Sequence, residues 1–445
     1  MSVRTSKIYS RRYVAPMLGI LLSVVVSCGL SLANESRPNI LFILADDVGS
    51  EVLQCYGGES YETPRLDALA KQGIRFNHAY SMSVCHPTRI CFFTGQYPFR
   101  LGHPEWGSFP KSAESRTIAQ VLKSVGYATA IAGKWQLALL GEDPLHAQRL
   151  GFDESCLFGW HEGPRYYQPH IRQNGKLRTD VQQRYGPDVY CEFLLDFMNR
   201  QGEQPFFAYY SMALCHAVTD DLDAPVPLGP DGRYQTFAEM VAAMDDHVGQ
   251  LLDDMDRTGL SKNTLVVFFS DNGSPPDNID GVSEGKLVER PVTSIRNGVV
   301  IPGGKTTLLD TATRVPLLIR WPGVVPEGQV SDDLIDVSDF LPTLAELAGA
   351  GLPTDVVLDG RSFADRLRGG PQQVREWVFA EHKGRAFVKD RRWKLYNDGQ
   401  VFDLKKDPGE LNPLAVQELS GPALIAVQHL ADEMSALHTA GLERL

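Results

Sequence analysis

Two short apolar segments, NILFILA at 39–45 and TLVVFFS at 264–270, each stop abruptly at acidic and amide side chains. Continuous apolar runs of this length are typical of strands buried on both faces of a parallel sheet. PFFAYYSMA at 205–213 and VPLLIRWPG at 315–323 read in the same way. The chain is therefore constrained to fold around a sheet covered on both sides.

Helical segments alternate with these strands. One begins at Thr63 as N-cap with Pro64 in its first position and stops at Gly73. Others are predicted from Cys85 and over 115–126, 236–257 and 338–349, and a further strand is predicted at 127–134. The pattern predicts an α/β fold with a large central, mostly parallel sheet sandwiched by helices.

The pattern changes towards the C-terminus. Residues 274–296 are rich in Pro, Asp, Asn and Gly and predict a long loop. After about residue 355, short strands separated by tight polar turns precede a helix predicted from about 411 to 440. This indicates a small antiparallel sheet with a packed helix. We expect a catalytic domain over 37–350 and a C-terminal subdomain over 355–445.

The first 33 residues read as an export signal. Lys7, Arg11 and Arg12 precede an apolar run that ends in small residues suited to cleavage after Ala33. The alternatives are a lipoprotein signal ending before Cys28, which would then carry a lipid anchor, and an uncleaved anchor; the Arg pair faintly resembles a twin-arginine signal. We expect an exported protein, periplasmic or extracellular, with no membrane span in the mature chain.

Composition excludes some functions. The 445 residues carry a net charge of -12, which argues against general nucleic-acid binding while leaving local basic pockets for an anionic substrate. The seven cysteines lack the spacing of a disulfide scaffold or a zinc site, so the default interpretation of any one of them is a buried free thiol. They are Cys28, Cys55, Cys85, Cys91, Cys156, Cys191 and Cys215.

Two of the buried strands end in hard oxygen ligands. Asp46-Asp47 follows the first strand, and Asp271-Asn272 follows the strand at 264–270. One such pair alone would be read as a solvated turn. Because ligands of open α/β sheets bind beyond the carboxyl ends of the strands, the two pairs together predict a Ca²⁺ or Mg²⁺ site.

Cys85 lies where a helix is predicted to begin. On local grounds it could be half of a disulfide, a buried thiol, a metal ligand or a catalytic residue. A helix N-terminus receives an anion, and Arg89 one turn later can reach the same point. A nucleophile between a divalent cation and a cationic side chain would be activated.

Several motifs occur in order over the whole mature chain: Asp46-Asp47-x-Gly49, TPRLDALAKQGIRFNHAYS, Cys85-x-Pro87-x-Arg89 with TGQYP, Gly-Lys-Trp at 133–135, GFDE, SDNG, GGK, RVPLLIRWPG, LDGRSF and VFDLKKDPGE. In these the chain resembles the type I sulfatase (arylsulfatase-like) family of the alkaline-phosphatase-like superfamily. The resemblance implies that a formylglycine-generating maturation enzyme converts Cys85 to formylglycine, whose hydrated aldehyde is the nucleophile. It further implies that this diol and the four strand-end residues bind Ca²⁺, with Mg²⁺ the weaker expectation.

The resemblance also assigns the groups that handle sulfate. Arg89 would stabilise the ionised diol, and Lys134 and Lys305 would bind sulfate oxygens. His216 would help to protonate the leaving alcohol. Sulfate-ester cleavage builds charge on the leaving oxygen, so cations and an acid suit the reaction.

Two positions depart from the family pattern. Thr88 stands where the family most often has Ser or Ala. Gln136 replaces the histidine of the usual Gly-Lys-Trp-His, thought to deprotonate the diol and expel sulfate, and a glutamine cannot take a proton at neutral pH. His86, His103 and His161 are candidates for a substitute base.

The leading hypothesis is a sulfatase that hydrolyses sulfate monoesters, with a sulfated carbohydrate as the expected substrate from family habit. The substitution at Gln136 keeps open a weakly active or non-catalytic binder of sulfated glycans. A phosphonate or phosphodiester hydrolase on the same fold is the other enzymatic alternative.

Overall fold

The computed structural model describes residues 1–6, 37–218, 225–370 and 375–443. The chain divides into a segment 1–36 and a unit 37–445, and the following description concerns the latter unit. The apolar run of the predicted signal, with Cys28 and the cleavage position after Ala33, lies outside the described residues. The signal prediction therefore stays a prediction.

The strands and helices of the described residues have the following bounds. The strands are β1 (Asn39–Ala45), β2 (Ile74–Tyr80), β3 (Ala128–Trp135), β4 (Glu154–Gly159), β5 (Arg172–Gln173), β6 (Lys176–Leu177), β7 (Phe206–Ser211), β8 (Thr264–Ser270), β9 (Asp277–Ser283), β10 (Lys286–Pro291), β11 (Thr293–Arg296), β12 (Val299–Pro302), β13 (Arg314–Arg320), β14 (Gln329–Asp336), β15 (Val378–His382), β16 (Arg385–Lys389), β17 (Trp393–Tyr396) and β18 (Val401–Asp403). The helices are α1 (Pro64–Lys71), α2 (Cys85–Thr94), α3 (Ile118–Lys123), α4 (His146–Arg149), α5 (Gly186–Arg200), α6 (Phe237–Thr258), α7 (Asp310–Thr313), α8 (Phe340–Ala348), α9 (Ala364–Leu367) and α10 (Gly421–Thr439).

The central sheet has ten strands in the order β14-β2-β13-β8-β1-β7-β3-β4-β5-β6. Its middle, β8-β1-β7-β3-β4, is entirely parallel. β13 runs antiparallel to β8 and β2, and β14 is parallel to β2. The predicted α/β class with a large, mostly parallel sheet is confirmed.

β1 shows why its apolar run is continuous. Ile40, Phe42 and Leu44 belong to a core that includes residues of α2, α3 and α8. Leu41 and Ile43 belong to a second core that includes residues of α1, α5 and α6. Successive side chains of a strand point to opposite faces, so a sheet covered on both faces needs apolar residues at every position.

The loop predicted for 274–296 is wrong. The segment forms a hairpin of β9 and β10 and begins a second hairpin of β11 and β12. Glu284-Gly285 and Asn297-Gly298 connect the strands, and all four residues have positive φ. Two-residue turns of this kind match the twist of paired strands, so the polar and Gly-rich composition marks hairpin turns here.

The C-terminal part contains the predicted small antiparallel sheet, in the order β15-β16-β17-β18. α10 packs on β16 and β17 and begins at Gly421, ten residues later than predicted. The boundary between a catalytic domain and a C-terminal subdomain stays a prediction. Among the described residues, no helix is both long and apolar enough to cross a bilayer.

Candidate active site

The two acidic strand ends lie side by side. β1 and β8 are parallel neighbours in a register that pairs Ala45 with Ser270, so the residues that follow emerge at the same sheet edge. The side-chain amide of Asn272 donates to Asp47 Oδ1 at 2.7 Å. The backbone N–H of Asp47 donates to Asp271 Oδ1 at 3.3 Å. The predicted convergence of these side chains is therefore present in the fold.

Each of the three carboxylates faces a cationic side chain. Lys134 Nζ lies 2.6 Å from Asp46 Oδ2, and Lys305 Nζ lies 2.6 Å from Asp47 Oδ1. Arg89 Nη2 lies 2.6 Å from Asp271 Oδ2 and 3.9 Å from Asp46.

The three cations come from distant parts of the chain. Lys134 is near the end of β3, Arg89 is on α2, and Lys305 follows β12. The tertiary structure therefore brings three cationic side chains and three carboxylates together in a largely buried cluster.

Burial and neighbouring charges shift these pKa values in opposite directions. Burial alone would raise the pKa of Asp46, but Lys134, His216 and Arg89 hold it well below the ordinary value. Burial and the adjacent Asp46 carboxylate raise the pKa of Asp271 to about 7. Even beside these cations the two neighbouring carboxylates do not ionise equally, and a further positive charge would favour the ionised form of both.

Two buried oxygen atoms of this cluster, Asp46 Oδ1 and Asn272 Oδ1, have no hydrogen-bond partner in the described part of the chain. One ligand atom each of Asp46, Asp271 and Cys85 lies within 4.8 Å of the others, and the same holds for Asp46, Asp47 and His216. An unsatisfied buried acceptor costs free energy that a cation would offset. Carboxylate and amide oxygens are ligands that Ca²⁺ favours, so the donor set fits a hard divalent cation.

Cys85 is the first residue of α2 and is completely buried beside this cluster. Val84, which precedes the helix, is extended, and no described side chain caps the first N–H groups of α2. The Gln136 amide donates to the Cys85 sulfur at 3.3 Å. Thr88, one turn on, donates to the carbonyl of Asp271 at 2.6 Å and joins α2 to the strand end.

Two family models match this chain. The model described as Sulfatase matches residues 38–350, and the one described as N-sulphoglucosamine sulphohydrolase, C-terminal, matches residues 304–438. The chain belongs to the sulfatase family. The resemblance seen in the sequence motifs is confirmed.

Relatives of this sulfatase extend over most of its length. N-acetylgalactosamine-6-sulfatase of Rattus norvegicus is 31% identical, over 89% of this chain and 85% of the relative. Steryl-sulfatase of Rattus norvegicus is 30% identical, over 82% and 76%. The crystal structure of Ps i-CgsB in complex with k-i-k-neocarrahexaose has a TM-score of 0.71 at 25% identity, covering 91% of this chain and 93% of that one. The protein is a sulfuric ester hydrolase.

His216 lies at the rim of the cluster. Its Nε2 is 4.0 Å from Asp47 Oδ2, and its side chain is partly exposed. Nδ1 lies 2.9 Å from the Ala217 carbonyl oxygen and 3.3 Å from Arg165 Nη1. Burial, with Lys305 nearby, lowers the pKa of His216 to about 3. The ring is thus held at the point where the buried cluster meets solvent.

Gln136, which departs from the family pattern, lies directly beside Cys85. Its side chain is buried against Cys85, and its Oε1 has no hydrogen-bond partner among the residues that the structure describes. Among the candidate substitute bases, His86 Nε2 contacts the Ser108 carbonyl oxygen at 2.9 Å, and burial lowers its pKa to about 4. His103 Nδ1 lies 3.7 Å from Glu381, and His161 packs its ring on Trp160. No described contact joins any of the three to Cys85.

Sequence reasoning missed Ser211 and Arg165. Ser211 Oγ accepts from Arg89 and donates to the Lys134 carbonyl oxygen at 2.7 Å, so it links two of the cations. Ser211 is the last residue of β7, and the rule that strand ends carry functional groups could have found it. Arg165 follows no such rule, since it precedes α5 in an irregular segment.

Proposed function

We propose that this sulfatase hydrolyses sulfate monoesters of a saccharide, with a formylglycine nucleophile formed from Cys85 and a bound Ca²⁺. One observation carries the proposal: Cys85 Sγ shares a 4.8 Å cluster with Asp46 and Asp271 oxygens at a helix N-terminus. A thiol sulfur is a soft ligand, which a hard divalent cation such as Ca²⁺ does not favour. Conversion to a hydrated aldehyde would supply hydroxyl groups that suit a hard cation.

The metal would be held by Asp46, Asp47, Asp271 and Asn272 together with the group derived from Cys85. We favour Ca²⁺ over Mg²⁺ because Ca²⁺ accepts six to eight oxygen ligands in flexible geometry, whereas Mg²⁺ demands a near-ideal octahedron. When bound, the cation would polarise an oxygen of the sulfate group.

The remaining charges would bind and orient the substrate. Lys134 contacts Asp46 and Lys305 contacts Asp47, and their ammonium groups would bind sulfate oxygens. Arg89, bonded through both Nε and Nη2 to Asp271, would hold the nucleophile in place. His216 would face the leaving oxygen at the solvent side of the cluster. Burial and Lys305 lower its pKa, so the negative charge of the bound sulfate ester would have to raise that pKa again before the ring could donate a proton.

The saccharide part of the proposal is supported by an aromatic surface beside Cys85. The Trp106 ring stacks on His86 at 5.7 Å and lies 4.9 Å from the Trp160 ring. Trp106 is 45% exposed although it is large and apolar. Exposed rings next to a reaction centre offer flat apolar faces to a ligand. N-acetylgalactosamine-6-sulfatase, one of the relatives, carries a sugar in its name.

We expect Trp106→Ala to raise KM about tenfold for a sulfated saccharide and to leave KM for an aryl sulfate within about twofold, because only the saccharide would cover the indole. The measurement is steady-state sulfate release from a panel of sulfated saccharides and from an aryl sulfate, by protein co-expressed with a formylglycine-generating enzyme. Leu145→Ala, which removes another exposed apolar side chain, is the control.

The same panel tests the alternatives. Cleavage of the aryl sulfate with no sulfated saccharide turned over would contradict the saccharide assignment. Faster cleavage of a phosphonate or phosphodiester would favour that activity instead. Glycan binding without any hydrolysis would favour a non-catalytic binder. Export and encounter with the maturation enzyme belong to the same proposal, since the enzyme must meet Cys85 before the fold buries it.

Gln136→His is expected to raise kcat by about 10²-fold, because a histidine beside the nucleophile can take the proton that a glutamine cannot. Pre-steady-state assays should show an initial burst of alcohol in the wild type that shrinks in the variant. Gln136→Ala is the control, since it removes the amide without adding a base. An unchanged kcat in Gln136→His would mean that another group already serves as base.

A further inference from the structure

A cavity of about 330 Å³ lies beside the candidate active site, and none of the site residues named above lines it. Tyr80 at the end of β2 and Arg314 at the start of β13 form part of its wall and pair with each other in the sheet. β13 also pairs with β8, so its first residues lie at the sheet edge where Asp271 emerges. From β8 to β2 is two strand spacings, on the order of 10 Å.

Three parts of the chain close this cavity. Ser50 and Glu51 come from the turn directly after the Asp46-Asp47 pair, and Arg296 comes from the β11–β12 hairpin. Arg391 and Lys405 come from the C-terminal sheet region and are exposed, so they lie where the cavity meets solvent. The cavity therefore joins the active-site edge to the C-terminal part of the chain.

The cavity has more positive than negative charge. It is lined by five basic side chains, and its two carboxylates are already engaged. Asp310 accepts from Lys389 at 2.7 Å, and Glu51 accepts from Ser274 at 2.6 Å. Burial raises the pKa of Glu51, which favours its neutral form. The carboxylates thus offset little of the basic charge.

Of the five basic groups, Arg392 is paired with Asp403 at 2.6 Å. The other four have no ion pair among the residues described over 37–218, 225–370 and 375–443. They are Arg296, Arg314, Arg391 and Lys405. Four unpaired cations around one cavity are unusual in a chain of net charge -12, whose carboxylates outnumber its cations.

Within the described ranges, the side-chain hydrogen bonds of Arg296 and Arg314 go to neutral acceptors. Arg296 donates from Nη1 to Ser50 Oγ at 3.1 Å, and Arg314 donates from Nε to the Asn77 carbonyl oxygen at 2.8 Å. Burial and the proximity of Arg314 lower the pKa of Arg296. Each group keeps further N–H donors, because a guanidinium has five. An anion between them would relieve the repulsion and accept these hydrogen bonds.

We propose that this cavity binds a second sulfate or carboxylate group of the saccharide whose sulfate ester is cleaved at the Cys85 site. The inference rests on the proposed function and narrows its substrate class to a polyanionic saccharide. The cavity lies along the same sheet edge as the reaction centre, and the exposed Arg391 and Lys405 leave an entrance for a chain. The shared chemistry is a tetrahedral or planar oxyanion, which a free inorganic anion could also supply.

The test uses two double variants of the full chain, co-expressed with a formylglycine-generating enzyme. Arg296→Gln/Arg314→Gln removes the two less exposed cations. Arg391→Gln/Lys405→Gln removes the two exposed cations, whose side chains make no hydrogen bond or ion pair with the described residues. Arg290→Gln is the matched control, because Arg290 is 68% exposed on β10 and does not line the cavity. Binding to dextran sulfate oligosaccharide and to inorganic sulfate is measured at fixed ionic strength.

We expect both double variants to weaken dextran sulfate binding about tenfold or more, with Arg290→Gln within twofold of wild type. Turnover of a singly charged aryl sulfate should stay within twofold in all of them, since the catalytic cluster is untouched. Unchanged dextran sulfate affinity in both double variants, or an equal loss in Arg290→Gln, overturns the inference. Variant-sensitive binding of inorganic sulfate without binding of dextran sulfate would assign the cavity to a free anion and also overturns it.

Failure of this inference differs from failure of the proposed function. If the wild type cleaves aryl sulfate and the double variants bind dextran sulfate normally, only the second anion site is wrong. If the wild type, with Cys85 converted, cleaves no sulfate ester, the proposed function fails, and a loss of dextran sulfate binding in the variants would then describe a binding cavity alone.

Discussion

Cys85→Ala is expected to lower kcat for an aryl sulfate by roughly 10³-fold or more, because loss of a covalent nucleophile leaves only binding and electrostatic stabilisation. The substitution should cost stability only about 1 kcal/mol. The sulfur makes one described hydrogen bond, from Gln136, and alanine suits a helix first turn. Sulfate release and thermal unfolding are the measurements.

Cys91→Ala is the matched control. Cys91 is a free, buried thiol on the same helix, six residues from Cys85, so its loss should have a similar effect on stability and none on kcat beyond twofold. Peptide mass analysis of the co-expressed wild type should show conversion at Cys85 and an unmodified Cys91. Cys85→Ala protein that still turns over at the wild-type rate would eliminate Cys85 as the source of the nucleophile.

Removal of divalent cations is expected to have the second large effect. Chelation should lower kcat by roughly 10³-fold, equivalent to about 4 kcal/mol of lost transition-state stabilisation. It should also lower the melting temperature, since Asp46 and Asp271 would repel each other and two buried oxygens would stay unsatisfied. Added Ca²⁺ at one hundred times its Kd should restore about 2.7 kcal/mol of stability.

Asp46→Asn locates this effect. The variant keeps the shape of the side chain but removes a ligand charge, so Ca²⁺ should no longer raise its melting temperature, whatever its activity. Asp245→Asn is the control, because Asp245 is a buried carboxylate that accepts hydrogen bonds from the backbone N–H groups of Arg65 and Leu66 and belongs to neither group of possible metal ligands. A calcium-dependent shift as large in Asp46→Asn as in the wild type would show that the metal binds elsewhere.

Local pattern was sufficient for the strands that are apolar along most of their length. The sequence predicts β1, β3, β7 and β8 because a strand covered on both faces is mainly apolar, with polar residues such as Lys134 and Ser211 near its end. The hairpins of β9 to β12 were missed because their strands are largely exposed and carry no such signal. A dipeptide such as Glu284-Gly285 or Asn297-Gly298 occurs both in long loops and in hairpin turns, so the sequence does not distinguish the two unless the paired strands are known.

For the cysteines too, the sequence predicts one property and the fold decides another. The described cysteines are all unpaired, as expected from their irregular spacing, and five of the six are buried. The tertiary structure decides which cysteine lies beside the carboxylates of the cluster. Cys91 and Cys85 share a helix, yet only Cys85 stands at its N-terminus against Asp46 and Asp271.

The buried strands, the acidic residues at their ends and the motifs of the sulfatase family are recognisable in the sequence, because each depends on residues that are close together in the chain. The register of β1 with β8, the link through Ser211 and the contact of Gln136 with Cys85 were decided only by tertiary structure. The unpaired cations of the cavity beside the active site also come together only in the folded chain, since Arg296 and Lys405 are more than a hundred residues apart in the sequence. Electrostatic and hydrogen-bond energies depend on distances of a few ångströms, which spacing along the chain does not specify.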